Sequence, residues 1–285
     1  MEFKPTLARG LTLLALVGPL ALFGGCRDLA TSAAGAREGT SAAAAARAPG
    51  YLTPEERPDS VALIPPPPAP GSPEFAADEA IYRKFSALQG TARWRLAAAD
   101  ANLKFPGGAN VFACAVGINV TDATTPRLYA LLQRVVIDAG QSTAKAKQKY
   151  QRARPFEVTG DPTCVPEDEQ LLRGNASYPS GHASLGYVWG AVLAELAPDR
   201  ADAARARAYQ FGQSRVVCRV HRQSDVDAGR TVGQAVFERL HQDAEFVADM
   251  AAAKVEVKKA RRHGPPAGRD CRAEAAALQA TAQSD

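Results

Sequence analysis

The apolar residues between positions 74 and 253 recur three or four positions apart, which is the spacing of one face of an α-helix. Pro126 is suited to a first helical position, and Pro198 ends the mostly apolar segment before it. Neither an alternating strand pattern of convincing length nor an internal repeat occurs. The pattern predicts an all-α fold, a single compact helical bundle from about 74 to 255. The periodic segments are 74–103, 126–152, 180–197, 199–217 and 225–253.

A proline-rich segment, residues 51–72, precedes the helices. Four consecutive prolines starting at Pro65 exclude a helix there and favour an extended chain. The apolar run from Val61 to Ile64 comes just before them, and a simple linker would not need it. We therefore expect an extended N-terminal strap along the surface of the bundle, so that the whole domain covers 51–255.

The first residues have the pattern of an export signal. Lys4 and Arg9 precede an apolar stretch that ends at Gly25 and is too short for a comfortable membrane-spanning helix. The small residues directly before Cys26 resemble a bacterial lipoprotein cleavage site, and ordinary signal-peptidase cleavage a little further on is the alternative. We expect residues 1–26 to be a signal peptide, and the protein to be periplasmic or anchored to the outer membrane by a lipid at Cys26.

Two other segments lack a helical period. Residues 27–50 are rich in Ala, Ser and Gly, which predicts a flexible linker. Residues 256–285 contain a basic run from Lys258 to Arg262, which predicts a basic, flexible tail unless Cys271 ties it down.

Export changes the interpretation of the cysteines. Four remain without Cys26, and an even number in an oxidising compartment predicts up to two disulfides, with three pairings open. These four are Cys114, Cys164, Cys218 and Cys271. No two of them have C-x-x-C spacing, so we expect disulfides rather than a metal site or a metal cofactor.

Composition narrows the class of partner. The net charge is only +4 and the Lys and Arg residues are scattered, which argues against nucleic acid and for a local anion site. With 285 residues, of which 46% are hydrophobic, the chain can bury a sizeable core.

The first stretch with candidate chemistry runs from Lys147 to Pro155. Seven residues separate Lys147 from Arg154, so two helical turns would place both cations on one face. Pro155 disfavours helix at Arg154, which puts Arg154 at the helix end. The two cations could neutralise a phosphate, but Arg152 and two lysines lie nearby, and alone the stretch favours a solvated basic face.

The second stretch is Tyr178-Pro-Ser-Gly-His182. Ser180 is a plausible N-cap for the apolar helix that follows, and free N–H groups at a helix start bind anions. Gly181 would allow close approach, and His182 would lie in the first turn beside the anion. An ordinary turn with a structural histidine explains this stretch equally well when it is taken alone.

The third stretch contains Arg215, His221 and Asp225. His221 and Asp225 are four residues apart, so in a helix Asp225 could accept a hydrogen bond from His221 Nδ1. That contact would leave Nε2 unprotonated and nucleophilic, with Arg215 as a third cation. A surface contact between His221 and Asp225 is the simpler alternative.

The three stretches together, Lys-x6-Arg-Pro, Pro-Ser-Gly-His and Ser-Arg-x5-His-x3-Asp, occur in this order in the chain. The set resembles the acid phosphatase superfamily shared with type 2 phosphatidic acid phosphatases and vanadium haloperoxidases. The strap and the Ser177–His182 run also resemble the bacterial class A non-specific acid phosphatases, over residues from about 51 to 245. Four neighbours depart from that class and leave substrate preference open. They are Ala176, Ala183, Val220 and Arg222.

The resemblance implies a metal-independent hydrolysis of phosphomonoesters of broad range. It implies that His221 attacks phosphorus and becomes phosphohistidine, that Asp225 orients His221, and that His182 protonates the leaving alcohol. The phosphate oxygens would be held by Lys147, Arg154, Ser180, Gly181 and Arg215. The expected partners are small-molecule phosphomonoesters, and a homo-oligomer is left open.

Three other functions compete with this one. A vanadate-dependent haloperoxidase would use the same residues, with His221 on vanadate, although such chains are considerably longer. A lipid phosphatase would bring several membrane helices, and none follows Cys26. A non-catalytic phosphate-binding lipoprotein would not need both His182 and His221.

Overall fold

The computed structural model describes residues 49–282, and the predicted signal peptide and nearly all of the predicted linker lie outside them. Within this range the chain is helical and has no β-strand, which confirms the all-α prediction. No helix in the range is both long and apolar enough to span a membrane. The helices are α1 (Ser60–Leu63), α2 (Pro73–Ser86), α3 (Ala92–Ala101), α4 (Ala113–Val116), α5 (Pro126–Gln141), α6 (Ala144–Tyr150), α7 (Pro155–Thr159), α8 (Glu169–Arg173), α9 (Gly181–Leu196), α10 (Ala201–Val217), α11 (Gln223–Leu240), α12 (Ala244–Ala260) and α13 (Cys271–Ala282).

Three of the predicted segments are each divided into two helices. In the segment 74–103, Gly90 has a φ of 75° and the Thr91 side chain accepts the N–H of Trp94, so that α3 starts afresh after α2. In the segment 225–253, Asp243 caps α12 through the N–H of Phe246. Side-chain caps therefore start new helices within segments that the spacing of apolar residues predicted to be continuous. The third divided segment, 126–152, forms α5 and α6.

Helix α9 lies at the centre of the bundle, packed against α5, α10 and α11. Most of its side chains are buried, as expected of a helix that is apolar on every side. Trp189 is 1% exposed, and its indole N–H donates to the carbonyl of Leu132 on α5 at 3.0 Å. The N-terminus of this central helix carries the Pro-Ser-Gly-His stretch, so the core itself positions that stretch.

Two glycines let α11 approach α9 very closely. A Cβ on Gly229 would lie 2.4 Å from the carbonyl oxygen of Ser180, and one on Gly233 would lie 2.4 Å from that of Ser184. Both distances are far below van der Waals contact, so only glycine fits at these positions. The third stretch is thereby held against the second.

The predicted strap is anchored at both ends but is not extended throughout. The Asp138 carboxylate on α5 accepts the backbone N–H groups of Tyr51 and Leu52 at 2.8 and 3.0 Å. The short helix α1 interrupts the strap because Asp59 accepts the N–H of Val61 as an N-cap. The prolines that follow run extended, and the carbonyl of Pro65 accepts the hydroxyl of Tyr178 at 2.8 Å.

The C-terminal residues are ordered where the sequence predicted a flexible tail over 256–285. Helix α12 continues to Ala260, and α13 follows with its first residue, Cys271, disulfide-bonded to Cys114. Thr281 is fully buried and accepts a hydrogen bond from Arg93 Nε at 3.0 Å. The disulfide and this buried contact outweigh the basic composition on which the prediction rested.

The glycine contact makes the first prediction. Gly233→Ala should force α11 away from α9 and lower the free energy of unfolding by about 1–3 kcal/mol, as overpacked sites do. The melting temperature should fall by about 2–4 °C for each kcal/mol, measured by circular dichroism. Gly140→Ala is the matched control, because its Cβ would meet no atom within 4 Å on α5 and should leave stability equal or slightly higher. Equal melting of wild type and Gly233→Ala would contradict the close packing of α9 and α11.

Candidate active site

The three sequence stretches meet at one cavity of about 610 Å³. The loop after α6, the N-terminus of α9, the last turn of α10 and the residues before α11 all contribute to it. Ser180 and Asp225 lie directly behind the wall, and the Ser180 N–H donates to the Asp225 carbonyl at 2.8 Å. The predicted residues that line the cavity are Lys147, Arg154, Gly181, His182, Arg215 and His221.

His221 has the tautomer that a nitrogen nucleophile needs. Its Nδ1 lies 3.3 Å from Asp225 Oδ2, and its Nε2 lies 3.2 Å from Arg154 Nη1. Because a guanidinium can only donate, Nε2 accepts, and the ring hydrogen is on Nδ1 facing Asp225. Burial and the charge of Arg154 both hold the pKa of His221 well below its usual value, so the free ring is neutral.

The predicted contact between His221 and Asp225 is present, but it arises differently. Helix α11 begins at Gln223, so His221 precedes the helix instead of lying one turn earlier within it. Asp225 caps the helix, since its Oδ2 accepts the backbone N–H of Arg222 at 2.8 Å. The same oxygen that caps α11 therefore receives His221 Nδ1–H.

Residues given no role in the sequence prediction surround Asp225. Ser177 Oγ donates to Asp225 Oδ2 at 2.6 Å, and Arg152 Nη1 donates to Oδ1 at 2.6 Å. Arg152 also pairs with Asp78 on α2 at 2.9 Å. Burial would raise the pKa of Asp225, but the contacts with His221 and Arg152 more than offset it and keep the carboxylate ionised. Ser177 was within the recognised Ser-Tyr-Pro-Ser-Gly-His run, whereas nothing in the sequence marked Asp78.

Arg154 does not share a helix face with Lys147. Helix α6 ends at Tyr150, the next residue has a φ of 44°, and Arg154 is in extended conformation directly before Pro155. Its guanidinium is 3% exposed and donates to the carbonyls of Asn175 at 2.9 Å and Val220 at 2.9 Å. These backbone contacts, rather than two turns of helix, aim Arg154 at His221.

Lys147 and Arg215 complete the cationic side of the cavity. Lys147 Nζ contacts the carbonyl of Ala176, and burial followed by the charge of Arg154 lowers its pKa to about 7. Arg215 is 2% exposed, and its Nε and Nη1 have no hydrogen-bond partner within the described residues. Burial and Arg154 lower the pKa of Arg215 to about 9. Because Arg215 lines the cavity, these two donors could bind an anion there.

The N-terminus of α9 adds backbone donors. Ser180 is the N-cap, as predicted, and its Oγ accepts the N–H of Ala183 at 3.3 Å. The N–H groups of Gly181 and His182 are the first two of the helix, which have no intrahelical partner. The positive end of the α9 dipole thus faces the same cavity as the three cations.

His182 lies between this cavity and a second one of about 450 Å³. Its Nε2 lies 3.1 Å from the carbonyl oxygen of Ala101, and its ring stacks on Phe211. Burial and the charge of Arg215 lower its pKa well below the usual value, so the free ring is neutral. The apolar side chains along the second cavity include Leu103, Phe105, Val136, Leu171 and Leu172.

One disulfide lies beside the site. Cys164 is bonded to Cys218, three residues before His221, and the other bond joins Cys114 to Cys271. The structure thereby selects one of the three pairings that the sequence allowed. Between residues 49 and 282 no three His, Cys, Asp or Glu side chains are grouped so that they could hold a metal ion.

Comparison with known proteins agrees with this geometry. Residues 127–245 match the family model of the PAP2 superfamily. The chain is 42% identical to a non-specific acid phosphatase of Providencia stuartii over 213 aligned residues. The aligned region is 74% of this chain and 86% of the relative. The chain is 41% identical over 208 residues to a non-specific acid phosphatase of Salmonella typhimurium, covering 73% and 83%, respectively.

The chain therefore belongs to the PAP2 superfamily. Within that superfamily it belongs with the bacterial non-specific acid phosphatases, which confirms the predicted enzyme class. An acid phosphatase of Zymomonas mobilis is also similar, with 38% identity over 203 residues, 71% of this chain and 77% of that one.

The lowered pKa of Lys147 makes the second prediction. As pH rises through about 7, Lys147 should lose its charge in the free site, and inhibition by sulfate should weaken. Sulfate is the suitable probe because its own charge does not change over this range. Lys147→Arg keeps its charge and should bind sulfate with little pH dependence there. If both proteins lose sulfate affinity over the same pH interval, another group is responsible.

Proposed function

We propose that this acid phosphatase hydrolyses phosphomonoesters of broad range through a phosphohistidine on His221, without a metal ion. The observation that carries the proposal is that two buried Arg215 donors, at the cavity that His221 lines, have no hydrogen-bond partner among residues 49–282. The Nε2 lone pair of His221 points away from Asp225, and Arg154 Nη1 is within hydrogen-bond distance of it. A phosphate bound to these cations has phosphorus within reach of that lone pair.

The chemistry is two successive displacements at phosphorus. A bond forms between His221 Nε2 and phosphorus while the ester P–O bond breaks, and the leaving alcohol takes a proton from His182. Water then gives a proton to His182 and attacks phosphorus, the N–P bond breaks, and inorganic phosphate leaves with His182 protonated again. Lys147, Arg154 and Arg215 stabilise the three equatorial oxygens as charge moves, which is the main task in phosphoryl transfer.

Substrate binding favours the protonated form of His182, which an acid requires. In the free site Arg215 and burial keep His182 neutral. A bound phosphate dianion places negative charge beside the ring and raises its pKa, while His221 Nε2 stays free to attack. Activity therefore peaks on the acid side of neutrality, where His182 is charged and His221 is not.

The second cavity accommodates the leaving group. It adjoins His182, so an ester oxygen that receives the proton of His182 points its carbon substituent into it. Leu103, Val136 and Leu172 contribute apolar wall, which contacts a substituent without directional hydrogen bonds. Such a wall tolerates varied alcohols, in accord with a broad substrate range.

Export to the periplasm is also a proposal. Two disulfides support an oxidising compartment, since such bonds are rare in the cytosol. The signal peptide and Cys26 lie outside the described residues, so lipid anchoring and a homo-oligomer stay predictions. Cell fractionation of the wild type and Cys26→Ala separates a lipid-anchored protein from a free one.

The nucleophile is tested by mutation and trapping, with EDTA present throughout. His221→Ala should lose turnover by a factor on the order of 10⁵, whereas Asp225→Asn should keep a trace because the nucleophile remains. During turnover of a labelled substrate, acid-labile and alkali-stable phosphate should be trapped on the wild type and be absent from His221→Ala.

Controls keep this test specific. His241→Ala is the matched variant, since His241 pairs with Glu195 away from the cavity and should retain activity. Label on Ser180 would overturn the assignment of His221, and activity lost to EDTA but restored by a divalent metal would overturn metal independence. Oxidation of bromide with vanadate and peroxide, without phosphatase activity, would favour the haloperoxidase alternative.

The role of His182 is tested by the leaving group. A positioned acid is worth about 10²–10⁴-fold when the departing oxygen is a poor leaving group. His182→Ala should lose roughly that factor on glycerol phosphate and clearly less on p-nitrophenyl phosphate, measured as kcat/KM. The comparison requires that phosphoenzyme formation is rate-limiting, which a burst experiment checks. Equal losses on both substrates, with no burst, would make His182 a phosphate-binding or structural residue.

A further inference from the structure

The last carbonyl of α3 fixes the hydrogen-bonding state of His182. Ala101 is the final residue of that helix, and its carbonyl oxygen lies 3.1 Å from His182 Nε2. A carbonyl oxygen can only accept, so Nε2 carries a hydrogen whether the ring is neutral or charged. The proton that His182 gives to a leaving group is therefore the one on Nδ1.

The C-terminal end of α3 also has the negative polarity that stabilises a protonated His182. The last carbonyls of a helix lack intrahelical partners and form the negative end of its dipole, which favours a cation beside it. Burial and Arg215 lower the pKa of His182, whereas the hydrogen bond to Ala101 raises it. The contact with α3 thus favours the protonated ring of His182, whereas burial and Arg215 disfavour it.

The residue before this carbonyl is tightly held. Asp100 is 2% exposed, and its Oδ2 accepts hydrogen bonds from Ser214 Oγ at 2.5 Å and from Arg207 Nη1 at 3.1 Å. Arg207 Nη2 contacts the other carboxylate oxygen, so the pair is bidentate. A buried bidentate pair has little freedom, and it restrains the adjacent carbonyl of Ala101.

Helix α13 contacts Arg207, one partner of Asp100, directly, and reaches Ser214, the other partner, through Arg93, whose Nη1 donates to Ser214 Oγ at 2.9 Å. Glu274 accepts a hydrogen bond from Arg207 Nε at 3.2 Å, and Thr281 accepts one from Arg93 Nε at 3.0 Å. Arg93 lies on α3 itself, so α13 contacts both α3 and α10. The first residue of α13 is disulfide-bonded to Cys114, which fixes its start.

We propose that Asp100, braced by α13, is a positioning residue that keeps the Ala101 carbonyl against His182 Nε2 and so directs Nδ1–H to the leaving group. The proposal rests on the acid role given to His182 in the proposed function. Asp100 lines neither of the two cavities, so it does not contact a substrate held there, and its proposed effect passes through His182.

The test compares two leaving groups in Asp100→Asn. With the carbonyl displaced, kcat for glycerol phosphate should fall about 10–100-fold, and kcat for p-nitrophenyl phosphate should stay within about threefold. The inhibition constant of inorganic phosphate should not rise, because removal of a negative charge near Arg215 does not weaken the binding of an anion. A higher inhibition constant would mean that Asp100 acts through Arg215, and would overturn the proposal.

A double-mutant cycle shows whether the effect passes through His182. In a His182→Ala background, Asp100→Asn should cause no further loss on glycerol phosphate, because the acid is already gone. A further loss as large as in the wild type would overturn the proposal. His182→Ala alone tests the acid role, so failure of the proposed function is seen separately.

A milder variant keeps the test valid if Asp100→Asn does not fold. Thr281→Val removes the contact between α13 and Arg93 but leaves the Asp100–Arg207 pair intact. It should cause a smaller loss with the same preference for glycerol phosphate, while Thr231→Val, exposed on α11, should cause none. Equal loss on both substrates, or no loss in Thr281→Val, would overturn the role of α13.

Discussion

The buried carboxylate of Asp225 is the contact on which the site depends. It is fully buried, and such a charge is tolerated only when hydrogen bonds and an opposite charge satisfy it. His221, Ser177, Arg152 and the N–H of Arg222 all bind its two oxygens. The same group therefore caps α11, contacts His221, the proposed nucleophile, and joins α11 to the segment before α9. In the proposed mechanism, one side chain serves both the start of the helix and the nucleophile.

The opposite side of the site is left electrostatically incomplete. Arg154 and Arg215 are buried and Lys147 is partly buried at the same cavity, and removal from water lowers the pKa of Lys147, Arg154 and Arg215 to about 7, 10 and 9, respectively. Like charges that repel one another and donors that lack acceptors make the free cavity costly. A dianion bound in the cavity would remove both costs at once, which supports the proposed phosphate site.

The sequence predicted the helices, the N-cap at Ser180 and the contact between His221 and Asp225, because each rests on spacing within a few residues. It failed where long-range contacts decide. The sequence predicted Arg154 on a helix face with Lys147, but backbone carbonyls distant in the sequence hold it in a loop. The tail was predicted flexible from its charge unless Cys271 tied it down, and the structure shows the second outcome, because Cys271 is bonded to Cys114 across 157 residues. Asp78 has no local signal, since its partner Arg152 is 74 residues away.

The arrangement of helix ends explains how one small cavity favours opposite charges at two points. The N-terminus of α9 lies at the cavity, so its first N–H groups add to the cations of the proposed phosphate site. The C-terminus of α3 places a carbonyl beside His182, the group that the proposed mechanism requires to become positive. His182 belongs to α9 in sequence, so the N-terminal dipole that favours the anion disfavours the protonated ring. A bundle that brings a second helix end of opposite polarity to the same residue resolves this conflict without any additional charged side chain.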